Sequence, residues 1–329
     1  MTRAPLARLS LLALPLVACS SFQDPDIVVD FRVLAMRAQP TEQIVDVDVT
    51  NPEPPATLIQ KVLPSEVCVL VSDRNFDRKL RWSMTLCNLN ADERCPADGP
   101  QAVIGSGVWA DPDLDVAVQP MCATIPNDGN LLGVAVDSYQ NDQLHGLGGI
   151  YYGVSLRVGG EGADPDLDLY AAKSLRLMPR IPAMIKANNN PSIDRLEVSV
   201  NGGETLPLVL GRCRGQMQPL IVSPGQVARI TPIENVLTRE DYLVPTTDGM
   251  SRMFTESPTY QWLATAGHYA SGSTGGPKDA FGNPAILWTE WTAPKGDDLS
   301  GPTDVDLWLI QRDERLGVAW YETCIRVVP

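Results

Sequence analysis

Proline and glycine punctuate this chain from end to end, 28 and 26 of them respectively, and they restrict it to short regular elements. Proline removes a backbone donor and breaks helix interiors, while glycine at turns permits backbone angles that other residues avoid. Between the breaks lie short runs rich in β-branched and aromatic residues. In the first half these are Ile27 to Leu34, Val67 to Val71, Leu131 to Val136 and Ile150 to Val158. In the second they are Arg195 to Val200, Gln226 to Ile233, Tyr260 to Ala264, Ala285 to Trp291, Val305 to Gln311 and Val318 to Val328. Such runs predict strands, and their number predicts an all-β chain built from β-sandwiches. Asn201-Gly202-Gly203 is a hairpin signal, and "RDERLG", Arg312 to Gly317, separates the last two runs as the loop of a terminal hairpin. "KANNNPS", Lys186 to Ser192, places polar residues before a proline, where neither helix nor central strand continues easily. It reads as a linker (186–192) between a first domain at 27–185 and a second at 193–329.

The first residues obey a different rule. Arg3 and Arg8 precede an apolar run from Leu9 to Val17, interrupted only by Ser10. This has the charged start and short apolar core of a secretory signal, and it is shorter than the roughly 20 apolar residues that span a bilayer. Its end, Leu16-Val17-Ala18-Cys19, resembles the lipobox of bacterial lipoproteins. The resemblance implies cleavage after Ala18 (signal peptide 1–18), diacylglycerol on the Cys19 thiol, an acyl chain such as palmitate on the new amino terminus, and a lipidated tether at 19–26. Several acyl chains, each methylene worth about 0.8 kcal/mol on burial, hold a protein at a bilayer without a spanning helix. Ser20 stands where an Asp commonly retains lipoproteins in the inner membrane, so the implied destination is the outer membrane. The few residues between Cys19 and Ile27 span at most about 25 to 30 Å, which places the first domain close to the membrane.

Setting Cys19 aside leaves six cysteines: Cys68, Cys87, Cys95, Cys122, Cys213 and Cys324. An even set in an exported chain predicts up to three disulfides, with fifteen possible pairings. There is no CxxC pair and only two histidines, so the usual spacings of a structural zinc site are missing. The net charge is −14, and loss of the leader with its two arginines makes the chain more acidic. Such a field repels phosphate backbones and disfavours nucleic acid as a partner.

"YQWLATAG", "WTAP" and "VDLWLIQRDERLGVAWYETCIRV", together about 70 residues from Tyr260 onward, resemble the later strands of bacterial immunoglobulin-like and PKD-like domains. The resemblance implies a core tryptophan on a middle strand and a closing hairpin; the long stretch from Val236 to Pro258 departs from it. It also implies that an early segment runs beside the last strand, so that Cys213 and Cys324 meet. Cys87 and Cys95 flank the polar loop "NLNADER" and close a local hairpin in this reading, leaving Cys68 to Cys122.

Several motifs suggest chemistry and mostly fail its requirements. "DPDLD" occurs twice, at Asp111, Asp113 and Asp115 and again at Asp164, Asp166 and Asp168. Alternate carboxylates on one strand face are weak calcium candidates. The EF-hand template fails, because its sixth position holds Val116 or Leu169 instead of Gly and its twelfth Cys122 or Leu175 instead of Glu. Solvated turns at strand entries are the favoured reading. Five tryptophans crowd the second domain; Trp262 and Trp320 are assigned to its core, and Trp288 and Trp291 are candidates for stacking on a glycan. No GxSxG elbow is present, and His145 and His268 lie in glycine-rich loops. "GSTGGPK" at Gly272 to Lys278 lacks the Gly-Lys-Ser/Thr ending of a phosphate loop, and "GLGG" before Ile150 precedes a strand where a dinucleotide fold needs a helix. The expectation is a lipid-anchored envelope protein with a non-enzymatic structural or binding role, its partners being the bilayer and an envelope protein or glycan. No cofactor or catalytic residue is expected, and "RDERLG" and "SGSTGGPKDAFGNP" are its candidate binding loops. The alternative is an envelope hydrolase or glycan-binding protein, which requires carboxylates or a Ser/His pair converging in a concave site.

Overall fold

A computed structural model describes residues 24–48, 50–72, 79–109, 121–144, 146, 148–213, 216–236, 238–246 and 248–329. Cys19, Asp111, Asp113, Asp115 and His145 lie outside the described residues. Strands dominate, as the punctuation predicts. In the first half they are β1 (Arg32–Gln39), β2 (Glu42–Val45), β3 (Ser65–Ser72), β4 (Leu80–Cys87), β5 (Gln101–Trp109), β6 (Met121–Ile125), β7 (Ile150–Gly160) and β8 (Leu169–Pro179), with helices α1 (Pro55–Ile59) and α2 (Gly129–Asn141). No helix among the described residues is long and apolar enough to cross a membrane.

These strands form two sheets, β1-β3-β6 and β2-β8-β7-β4-β5. Alternation does the packing: Val67, Val69 and Val71 of β3 face Met84, Leu86, Val154, Leu156 and Leu175 in one core. β3 is buried on nearly every residue because its other face is also covered. Cys68 stands opposite Cys122 across β3 and β6, and the two form a disulfide with Cα atoms 4.1 Å apart. Cys87–Cys95 closes the loop between β4 and β5.

Leu131 to Val136 departs from its expected strand and lies in α2. Asp128 caps the helix, its carboxylate accepting from Asn130 N at 2.9 Å and Leu131 N at 3.3 Å, and Leu131, Val134 and Ala135 are the buried residues. That spacing of three and four is helical, and the aspartate cap outweighs the local β-branched content.

The second half contributes β9 (Ile193–Val200), β10 (Thr205–Leu208), β11 (Leu220–Val222), β12 (Val227–Glu234), β13 (Asp241–Pro245), β14 (Ser251–Thr255), β15 (Thr259–Ala264), β16 (His268–Tyr269), β17 (Ser273–Gly275), β18 (Thr289–Thr292), β19 (Thr303–Arg312) and β20 (Val318–Val327). Only the end of the run Ala285 to Trp291 is strand. The sheets are β10-β9-β12-β18-β16 and β11-β20-β19-β15-β17. Four strands of one and three of the other follow the order of an immunoglobulin-like sandwich, with β11 running parallel to the final strand. Leu196, Val198, Ile230 and Trp291 from one sheet meet Trp262, Leu307, Leu309 and Ile325 from the other. Trp262 fills the core as expected, while Trp320 is only partly buried and packs under Arg37, 4.6 Å from its ring centroid. Asn201 and Gly202 take positive φ, 49° and 72°, which matches the right-handed strand twist at the β9–β10 turn. Cys213 and Cys324 are bonded. The irregular stretch after Val236 holds the β13–β14 hairpin, a separate two-stranded sheet.

A third apolar cluster joins the sandwiches: Val28, Leu34, Ala35 and Leu70 pack on Leu263, Trp308, Ile310 and Val318. The expected tether and first strand are corrected here. Residues 24 to 28 lie on the second sandwich, where Ile27 bridges to Ala264, Val28 N donates to Ala264 O at 2.8 Å and Ala264 N to Asp26 O at 3.0 Å.

Candidate functional site

The expected linker and the expected binding loop "RDERLG" are parts of one buried junction. Asn188 N donates to Glu42 Oε1 at 2.9 Å, and Asn188 Nδ2 donates to Asp313 Oδ2 and to Arg315 O. Asn190 donates from Nδ2 to Ala38 O at 2.8 Å, and its Oδ1 accepts from Val318 N at 2.9 Å. The asparagines therefore clamp both domains instead of spacing them. Leu316 at the hairpin tip holds φ of 78°, a conformation that costs a branched residue energy, and its carbonyl accepts from Lys173 Nζ and Thr41 Oγ1.

Arg315, 6 % exposed, is the centre of this junction. Its guanidinium reaches Glu256 at 2.8 Å, Glu240 at 2.9 Å and Glu42 at 3.5 Å. Glu42 also pairs with Arg176. Carboxylates therefore outnumber the arginines that neutralise them. Burial pushes the Glu256 carboxyl up to about 7 against the opposing pull of Arg315, and burial pushes the Lys173 ammonium down to about 8. This junction is a structural lock: its charged side chains pair with one another, and Asn188 Oδ1 alone of the Asn188 polar atoms is buried without a partner.

An apolar concave site lies in the first domain, beside a polar depression of about 380 Å³ lined by Asp137, Ser138 and Asp142. Val45 and Val47 beside β2, Leu58, Ile59 and Val62 of the α1 region, Leu132, Val136 and Tyr139 of α2, and Leu177 and Met178 of β8 surround a cavity of about 580 Å³. Among the described residues its lining contains no charged side chain, and its polar side chains are Tyr139 and Gln140. Volume and lining suit a ligand site of the common apolar kind. A second depression of about 390 Å³ shares Gly146, Met178 and Pro179 with the apolar cavity and continues to Pro245, Met250 and Ser251 of the β13–β14 hairpin. The groove thus runs from the helices of one domain to the projecting hairpin of the other. It was missed in the sequence because α2 read as a strand and its parts are far apart in the chain.

The remaining candidates fall elsewhere. Asp168 is bound by Arg81 at 2.6 Å and Arg157 at 2.7 Å; the hydrogen bonds from Arg81 chiefly hold its carboxyl below the usual carboxylate range. Asp164 caps a short 3₁₀ turn by accepting from Asp166 N at 3.0 Å, and Asp166 is exposed. These three carboxylates are not among the described groups whose ligand atoms lie close enough to share a metal ion. The group Glu66, Cys68 and Cys122 has metal-ligand proximity, but both sulfurs are in a disulfide and offer no thiolate. Trp291 is fully buried and donates Nε1 to Ala266 O at 3.0 Å, so it is no glycan platform. Trp288 lies under Arg229, 4.0 Å from its ring centroid. His268 is exposed and its Nδ1 is 2.9 Å from Asp24 Oδ2.

No family model matches this chain, and no curated protein matches it. Among solved structures it is similar to the native conformation of E. coli alpha-2-macroglobulin, with 8% identity, 91% of this chain and 17% of that chain covered and a TM-score of 0.22. It is similar to Parabacteroides merdae beta-glucuronidase, with 9% identity, 88% and 24% covered and a TM-score of 0.18. A collagen adhesin from S. aureus is similar at 8% identity, with 90% and 93% covered and a TM-score of 0.18. The chain thus spans about a fifth of the first two.

Proposed function

We propose that this chain is a lipid-anchored binding protein of the bacterial outer membrane, without catalytic activity, whose first domain takes a neutral apolar ligand. The observation that carries the reading is the lining of the cavity of about 580 Å³, which has no charged residue among those described in a chain that is 20% charged. A charged ligand entering it would lose hydration without gaining a partner, whereas an apolar one gains by leaving water. The hydrolase alternative requires carboxylates or a Ser/His pair in a concave site; the described lining of the apolar cavity supplies neither, whereas Asp137, Ser138 and Asp142 line the separate depression of about 380 Å³. Three disulfides support folding in an oxidising compartment, and Leu16 to Cys19 support anchoring.

The test uses a Cys19→Ala variant, exported with its disulfides intact and titrated with the neutral fluorophore N-phenyl-1-naphthylamine. Saturable enhancement is expected, and Val136→Trp, which adds bulk from α2 into the cavity, abolishes it without lowering the melting temperature. Absence of saturable binding, or equal binding by a folded Val136→Trp variant, refutes the site.

A further inference from the structure

We infer that the end of the second sandwich remote from the domain junction faces the bilayer, and that the first domain and its groove are carried on the far side. This rests on the lipid-anchored reading and adds which surface meets the membrane.

Covalent geometry limits the distance. Cys19 and Asp24 are five residues apart, which allows at most about 18 Å between their Cα atoms whatever path the chain takes. Asp24 has a fixed place: its carboxylate meets His268 Nδ1 at 2.9 Å, and its carbonyl accepts from Ile27 N at 3.0 Å. His268 stands opposite Thr292 in the sheet, and Thr292 opposite Val227. Val227 begins β12, whose other end at Glu234 lies on the side of the junction, as do Thr259 and Arg312, which stand opposite each other. β12 has 8 residues, so its seven steps of about 3.3 Å separate the two ends of the sandwich by about 23 Å. The anchor therefore leaves from the end that carries the 201–204 turn, joined to β12 by Val227 N donating to Asn201 Oδ1 at 3.0 Å. The 293–298 segment is at the same end, joined through Gly225 N to Pro294 O at 3.1 Å.

Charge decides the manner of contact. Glu204, Asp297 and Asp298 are exposed at this end, with Lys295 the nearby exposed cation. Anionic headgroups repel such a surface, so it stands beside the headgroups, held by the acyl chains, and does not insert. The groove is then carried on the side of the molecule away from the bilayer.

The test incorporates the photoreactive residue p-benzoylphenylalanine separately at Glu204, Lys295, Leu144 and Met250 of the full-length acylated protein. Each is reconstituted in vesicles of phosphatidylethanolamine and phosphatidylglycerol, irradiated, and read by mass spectrometry for lipid adducts and for the acyl group on Cys19. Adducts at Glu204 and Lys295, with only the unirradiated background at Leu144 and Met250, are expected. Adducts at Leu144 or Met250, or at none of the sites, in protein that carries the Cys19 acyl group overturn the orientation alone. An unmodified Cys19 overturns the anchoring reading and this inference with it.

Discussion

Replacing Arg315 with alanine tests whether the domain junction is an ionic lock. The side chain is 6 % exposed and contacts Glu42, Glu240 and Glu256. Removing one partner of a buried ion pair costs about 3 to 5 kcal/mol, because the remaining charge stays buried and uncompensated. Glu42 keeps Arg176, so the orphan is Glu256, itself 2 % exposed. Its folded pKa is about 7, raised by burial from an ordinary value of 4.5. A raised carboxyl means that the folded state holds the proton more tightly than the unfolded one. Its contribution to stability is therefore full at acidic pH and is lost as pH rises to about 7. Without Arg315, which opposes the shift, the pKa moves higher, and each unit adds about 1.4 kcal/mol to the loss on the alkaline side. The variant is expected to lose about 3 to 5 kcal/mol at pH 8, and less at pH 5.5 by up to about 1.4 kcal/mol, because only the first unit of added shift above about 7 is titrated by pH 8. Denaturant unfolding under non-reducing conditions, followed by far-UV circular dichroism, measures both values. A loss under about 1 kcal/mol at pH 8, typical of an exposed pair, or an equal loss at both pH values, refutes the reasoning. Arg315→Lys keeps the charge but not the planar fork and should fall between the two.

Further outcomes follow from the same geometry. Lys173 is held at about 8 by burial, so its depressed pKa makes stability rise between about pH 8 and its unfolded value near 10.5, and Lys173→Met removes that rise in pH-dependent unfolding curves. The sequence separations of the disulfides, 111 for Cys213–Cys324 and 8 for Cys87–Cys95, imply about 4.8 and 2.5 kcal/mol from chain entropy. Paired alanine substitutions should therefore lower stability more at the long closure, and the reverse order in denaturant unfolding counts against the entropic account. Trp291→Ala should cost about 3 to 5 kcal/mol as a core truncation, while Trp288→Ala should cost no more than about 1 kcal/mol for its exposed cation–π contact; comparable losses would contradict their placement.

The sequence alone determined what local chemistry decides. Glycine and proline set strand lengths, alternation set which valines of β3 face the core, and "RDERLG" joined β19 to β20 as a hairpin. Local signals can also compete: the β-branched run Leu131 to Val136 favoured a strand, and the Asp128 cap with its three- and four-residue spacing made a helix. Two of the cysteine pairs were legible because the loop "NLNADER" and the immunoglobulin-like resemblance placed their members side by side, and Cys68–Cys122 was what remained.

Tertiary structure alone decided where those elements meet. Glu42 and Arg315 are 273 positions apart, and nothing in either neighbourhood shows that the hairpin tip is buried against the other domain. The groove likewise needs α1, α2, β8 and the β13–β14 hairpin together, and its apolar residues look in sequence like ordinary core. Residues 24 to 28 precede the first domain in the chain yet lie on the second sandwich, because an exposed edge and an apolar patch there offer backbone and side-chain partners that sequence order does not reveal. Periodicity reports which face of an element is apolar; only the assembled fold reports what covers that face and what is left open.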